Sequence, residues 1–192
     1  MKRTVAFLVG SIALLGSQTA MASAPYIAPA ATPSWVFSGD VDVFKGIPLI
    51  CQTTVTISGP NNENDTSPPF SHTDVSNLSA TITLAGGTLN LCNVVEVAPI
   101  PAGNITYASN GASGGTFTLH DVFVTTITPG NCEGDITAVW NESAQTLTVS
   151  GVLPAVSGSD CTMDGTVDLT SPASGNASGA GDADHNPNHG NL

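Results

Sequence analysis

Positive charge is nearly absent from this chain. Its 192 residues hold three Lys and Arg against fifteen Asp and Glu. Two of the three are Lys2 and Arg3, so beyond the first residues Lys45 stands alone among the acids. Nucleic acids and anionic membrane surfaces are held by Lys/Arg patches, which excludes both as expected partners. Aromatic residues make up only 5% of the chain, and the girdles of an outer-membrane barrel need many more. No segment has sustained helical periodicity beyond the N-terminus, and no later apolar run is long enough to span a bilayer as a helix. No C-x-x-C or paired Cys/His spacing is present, so no zinc site is expected. No cofactor motif appears either. Charged residues are only 9% and hydrophobic residues 41%, which marks an ordered domain with a Thr/Ser/Asn surface rather than an acidic disordered chain.

What is present begins with a leader. Lys2 and Arg3 precede a short apolar run, Val5 to Gly16, and Ala20-Met21-Ala22 is a small-x-small cleavage site. Residues 1–22 read as a secretory signal peptide cut after Ala22. No cysteine follows the apolar run, so no lipid anchor is expected. The exported chain of about 170 residues suits one domain and is long enough to bury a core. Its expected destination is the cell exterior, with the periplasm as the alternative. All four cysteines, Cys51, Cys92, Cys132 and Cys161, lie in the exported part. An even count in an oxidising compartment implies two disulfides. Three connectivities are open. The preferred one is Cys51–Cys92 with Cys132–Cys161, one bridge to each half, each contributing about 2–4 kcal/mol.

Residues 23–33 are rich in Pro and Ala and read as an extended lead-in. From Trp35 the chain changes to short alternating runs bounded by Gly, Pro, Asn and Asp, the signature of strands. In LICQTTVTISG, Leu49, Cys51, Thr53, Val55 and Ile57 share a face; in NLSATITLAG, Leu78, Ala80, Ile82 and Leu84 do. TLNLCNVVEV, GTFTLHDVFVTTI and TMDGTVDL read the same way. In DITAVW, Ile136, Ala138 and Trp140 point inward, and in TLTVSGVL so do Leu147 and Val149, with the turn at Asn141 to Ala144. Trp140 reads as a core anchor. Gly59 to His72 reads as a long exposed loop. The expected fold is all-β, a single antiparallel β-sandwich over residues 34–170 stapled by two disulfides, with a closed barrel as the alternative. Residues 171–192, low in apolar content and rich in Gly, Ser, Asn and Asp, read as a disordered tail.

Candidate chemistry is sparse. Gly111-Ala112-Ser113-Gly114-Gly115 has the G-x-S-x-G spacing of a nucleophile elbow. That motif needs a helix after the serine. Here a strand pattern follows, so the reading is a flexible turn. His120-Asp121 interrupts the alternation of its strand. Neighbours in a strand point to opposite faces, so the pair reads as a surface His beside a β-bulge rather than as an acid–base couple. Asp182, Asp184, Asn186 and Asn188 alternate as calcium ligands do, but Pro187 occupies the position that requires Gly. His185 and His189 are the only other ligand types there. A solvated acidic tail is the simpler reading. No catalytic, cofactor-binding or metal residue is therefore expected, and the chain reads as a non-enzyme.

The order of elements resembles the alkane-oxidation protein activators of the PraA/PraB type. VFKGIPLICQTTVTISG resembles that family's opening strand with its cysteine. LSATITLAGGTLNLCNVV resembles the second block ending in Cys92. NCEGDITAVWNESAQTLTVSGVLP and DCTMDGTVDL resemble the closing elements. The similarity runs from about Trp35 to Thr170. It implies a secreted, non-enzymatic accessory protein that promotes bacterial growth on long-chain alkanes. It supplies no catalytic residues and no mechanism. An expected partner is hydrocarbon or the oil–water boundary, met through the apolar segment WVFSGDVDVF with Trp35, Phe37 and Phe44. The competing expectation is a biofilm-matrix or surface-filament subunit that self-associates by strand exchange through the N-terminal segment.

Overall fold

The computed structural model describes residues 24–62, 71–111 and 113–178. Residues 1–23, which hold the expected signal peptide, and residues 179–192 lie outside the described residues. So do the candidate ligands Asp182 to His189 and the middle of the Gly59–His72 loop.

The strands are β1 (Tyr26–Ala28), β2 (Trp35–Phe44), β3 (Pro48–Ser58), β4 (Thr73–Asp74), β5 (Ser79–Ala85), β6 (Glu96–Val97), β7 (Ile105–Ser109), β8 (Gly114–Thr125), β9 (Cys132–Asn141), β10 (Thr146–Leu153), β11 (Cys161–Ser171) and β12 (Asn176–Ser178). Every pairing is antiparallel. Nine strands form one sheet in the order β5-β3-β2-β11-β10-β9-β8-β6, with β7 also on β8. The all-β antiparallel architecture with two disulfides stands. Its strands belong to one curled sheet and a small second one, β12-β1-β4.

The curl is forced by the alternation. Along β9 the odd-facing Ile136, Ala138 and Trp140 are buried while Thr137 and Val139 are exposed. β2, β3, β5, β8, β10 and β11 bury alternate residues in the same way. One apolar face on a wide sheet must be covered, and among the described residues no long helix covers it. The sheet therefore closes on itself. Strands β5 and β6 stand seven steps apart in the strand order, which on a flat sheet would be about 33 Å. Yet Ala80 of β5 and Ile100, just beyond β6, exchange two backbone hydrogen bonds, of 3.0 and 2.8 Å. Inside, the rings of Trp35 and Phe37 on β2 each lie 5.9 Å from that of Trp140 on β9, with the Phe37–Trp140 pair edge-to-face.

Both ends of the described chain join this body, where sequence alone gave an extended lead-in and a tail. β1 lies between β12 and β4 and is paired on both sides. Tyr26, Ile27 and Ala177 are buried there. Trp35 Nε1 donates to the Pro29 carbonyl at 2.9 Å, and Tyr107 Oη donates to Ala177 O at 3.1 Å. Gln145 clamps Gly175 by accepting from its N–H and donating to its carbonyl. The small sheet thus caps one end of the curled sheet. A second difference lies at TLNLCNVV. Its alternation suggested a strand, but Thr88–Val94 is a 3-10 segment broken at Leu89 and Asn90, both in the left-handed region. Gly87, also at positive φ, lets the chain pass so close to Cys92 that a Cβ there would fall 2.4 Å from its sulfur.

The cap makes a specific demand at Gly175, where an added Cβ would lie 2.3 Å from the Trp35 ring. Gly175→Val is expected to lower stability by about 1–3 kcal/mol through overpacking, read as a lower urea midpoint. Gly103→Val, with open space around the added Cβ but a backbone at φ +91°, reports left-handed backbone strain without overpacking.

Candidate functional site

The polar candidates come first because their geometry is specific. A bulge between Leu119 and Val122 sets His120 and Asp121 on the outer surface, with Asp121 at φ 55°. His120 Nδ1 is 2.9 Å from Asp135 Oδ2, and its Nε2 is 3.1 Å from the Thr106 hydroxyl. The Asp121 N–H donates to Asp135 Oδ1 at 3.2 Å, and Asn104 donates to the Asp121 carboxylate at 3.2 Å. Hydroxyl, imidazole and carboxylate thus form a chain, but all three lie on an exposed part of the sheet, away from the apolar cleft described below. What the chain does structurally is cross-link β7, β8 and β9 over the bulge. Ser113 takes no part. It sits in the turn before β8, Gly114 begins the strand directly, and the extended run to His120 separates the two by on the order of 20 Å. Among the described residues no group of three or more His, Cys, Asp or Glu is placed to hold a metal.

The apolar candidates converge at the end of the sheet opposite the cap. The β2–β3 turn (45–47), the 3-10 segment Thr88–Val94, the β8–β9 loop (126–131) and the β10–β11 loop (154–160) all meet there. Nine large hydrophobic residues are exposed among the described residues. Eight of them, Phe44, Ile47, Ile50, Leu89, Val94, Ile127, Val152 and Val156, lie at this end; Val139 alone is elsewhere. Leu89 and Val156 are the most exposed, at 85% and 84%. Val152 and Phe44 flank Thr162 on three adjacent strands, so the apolar collar continues onto the outer wall. Sequence analysis placed Trp35 and Phe37 in such a surface. Both are core residues, 1% exposed, because the cap sheet and Trp140 cover that end of β2. Of the three aromatics only Phe44 reaches the collar.

Inside the collar is a narrow cleft of about 40 Å³. Val43, Leu49, Leu84 and Met163 come from strand faces, Leu91 from the 3-10 segment, Val95 from the residue that ends it, and Ile127 from a loop. Its lining is apolar apart from a few threonines and Lys45. Both disulfides hold this end. Cys51–Cys92 ties the 3-10 segment to β3, and Cys132–Cys161 ties the start of β9 to the start of β11. Lys45, 7% exposed, donates to Ser159 O at 3.2 Å and to Cys132 Sγ at 3.3 Å, joining two of the loops. The acid in the β10–β11 loop, Asp160, turns back to accept from the Ala155 N–H at 3.0 Å. Sequence reasoning missed this collar. Its signal was an apolar residue in each of three turns, Ile47, Ile127 and Val156, where polar turn-formers are the rule.

A family model for alkane oxidation protein activators, PraA/PraB-like, matches residues 1–175. The chain belongs to this family. The match extends beyond Trp35–Thr170 to the N-terminal residues and to the cap as far as Gly175. No curated protein and no solved structure matches the chain. Family membership names an activator of alkane oxidation and leaves open how it works. Two disulfides fit an oxidising compartment, outside the cell or in the periplasm. Among the described residues no helix is long and apolar enough to cross a membrane.

The outer polar chain gives a pH test. The hydrogen bond from His120, then that from the Asp121 N–H, hold the Asp135 carboxyl below its ordinary value of 3.8. A carboxylate depressed in the folded state stabilises it fully above that value and loses its contribution as pH falls through the lower folded value. Asp135→Asn is therefore expected to melt below the wild type at pH 6, with the two melting temperatures converging as pH drops below 3.8. Thermal melts followed by circular dichroism across that range check it.

Proposed function

We propose that the chain is a secreted, non-enzymatic accessory protein for bacterial growth on long-chain alkanes, and that its apolar end is the part that meets hydrocarbon. The observation that carries this reading is the segregation of exposed apolar side chains. Eight of nine sit on one end, whereas the opposite end presents polar turns such as Asn141–Gln145 and the capping sheet. Scattered surface hydrophobics need no explanation, but a contiguous patch marks a contact surface.

The energetics favour adsorption at an oil surface. Transfer of an exposed Val, Leu or Ile into hydrocarbon contributes about 1.5–3 kcal/mol, so half of that from eight side chains gives on the order of 10 kcal/mol. The acidic, Thr-rich walls stay in water. Adsorption with this polarity presents the family's substrate at the mouth of the cleft and keeps the protein soluble between droplets.

A filament built by strand exchange has less to draw on. Its donor was to be the N-terminal segment, and Tyr26–Ala28 is already paired on both sides.

The test is the interfacial tension of a hexadecane–water boundary with increasing protein. The wild type lowers it at micromolar concentration. Ile47→Asp with Ile127→Asp is expected to weaken adsorption at least ~10-fold, since burying either charge is strongly unfavourable, while the urea midpoint stays near that of the wild type. Val139→Asp, exposed on the opposite part of the wall, leaves adsorption unchanged. Unchanged tension at saturating wild-type protein rejects the hydrocarbon reading.

A further inference from the structure

We propose that the apolar end binds a long-chain carboxylate, its head group in the cleft on Lys45 and its alkyl chain across the exposed apolar collar. The proposal rests on the reading that this end engages hydrocarbon and goes past it by naming an acidic amphiphile rather than an alkane.

Lys45 carries the argument. It is the single basic residue beyond Arg3, and it is more than nine-tenths buried on the wall of an otherwise apolar cleft. A buried ammonium is expensive unless paired. Among the described residues the ion pairs within 4.0 Å involve His72 with Asp74 and His120 with Asp135, so Lys45 has no carboxylate. An ammonium has three N–H donors. Here one goes to the Ser159 carbonyl and one to a disulfide sulfur, a weak acceptor, at 3.3 Å. One donor and the whole positive charge are left without a matching partner. The neighbouring acid, Asp160, accepts from the Ala155 N–H with Oδ1 and forms no ion pair with Lys45 within 4.0 Å. In a chain with fifteen acids available, an unpaired cation in an apolar slot points to an anion brought by the ligand.

The slot selects the rest of that ligand. At about 40 Å³ it has room for a head group and not for a whole chain, so the alkyl part lies over the collar, where Ile47 and Ile127 border the cleft. Its lining includes Met163, whose unbranched, rotatable thioether side chain adapts to irregular space. A charge-assisted hydrogen bond between ammonium and carboxylate is short and strong, more so where water is excluded. A terminally oxidised alkane is a fatty carboxylate, so the cleft would bind the product class of the oxidation with which the family is associated.

The experiment is displacement of an apolar fluorescent dye from the purified protein by dodecanoate, methyl dodecanoate and dodecane. Dodecanoate is expected to act at concentrations ~10-fold or more below the ester, the gain typical of a hydrogen bond to a charged group. Lys45→Met is expected to erase that preference and keep displacement by dodecane. Lys45 also joins two loops, so a second readout uses unaltered protein: with lysine labelled by nitrogen-15, dodecanoate shifts the Lys45 Nζ resonance and the ester does not. Equal potency of acid and ester, a preference that survives in Lys45→Met, or an unmoved Nζ resonance at saturation overturns the carboxylate proposal, and dodecane displacement then leaves the hydrocarbon reading standing. Failure of all three compounds to displace the dye rejects the carboxylate proposal, and if the interfacial tension is also unchanged, the hydrocarbon reading falls with it.

Discussion

The apolar face of the large sheet has little but itself to pack against, and the rest of the molecule follows from that constraint. Period-2 alternation gives each strand one face that must leave water. With no long helix among the described residues to lie on it, the sheet has to roll, and the Ala80–Ile100 hydrogen bonds join its two extremes. Rolling brings the two edges together at this one bridge and builds one core around Trp35, Phe37 and Trp140. It also creates two ends. A rolled sheet is a tube, and something must be done with each opening.

The two openings are handled in opposite ways. The chain's own terminal segments close one, through β1, β4 and β12 and the Gln145 clamp on Gly175. At the other, loops surround the opening and leave their apolar side chains outward. Loops that face outward with Ile, Val and Leu tend to fold inward over the core. Here covalent bonds hold them in place. Cys51–Cys92 and Cys132–Cys161 both lie at this end, and Lys45 bonds across the gap between the β2–β3 turn and the β10–β11 loop.

The strands were legible in the sequence because their outward positions are Thr, Ser and Asp, so alternation is clean in β3, β5, β9 and β10. Length set the limit. Tyr26–Ala28 and Asn176–Ser178 have three residues each, too few to show a period, and their Pro- and Gly-rich surroundings read as unstructured. At Thr88–Val94 the pattern misled, because Leu89 and Leu91 alternate as a strand would while positive-φ residues and the bond from Cys92 turn the chain into a tight coil. The bulge at His120-Asp121 was legible from the broken alternation. Its partners Asp135 and Thr106 were not, since they come from neighbouring strands. The same reason hid the collar. Apolar residues scattered through four separate connections become one surface only when the roll brings those connections to one rim. Proximity of Trp35 and Phe37 to the N-terminus suggested exposure, and the cap reverses that.

The distribution of charge has a colloidal consequence. Among the described residues the one basic side chain other than histidine is buried, so the walls offer water only neutral and negative groups. A droplet coated with such molecules, apolar end inward, would wear a uniformly anionic shell. Two such droplets repel when their shells come within a Debye length or so, about 8 Å at physiological ionic strength. If the protein adsorbs at oil as proposed, oil so coated would stay finely divided in dilute media and coalesce in brine.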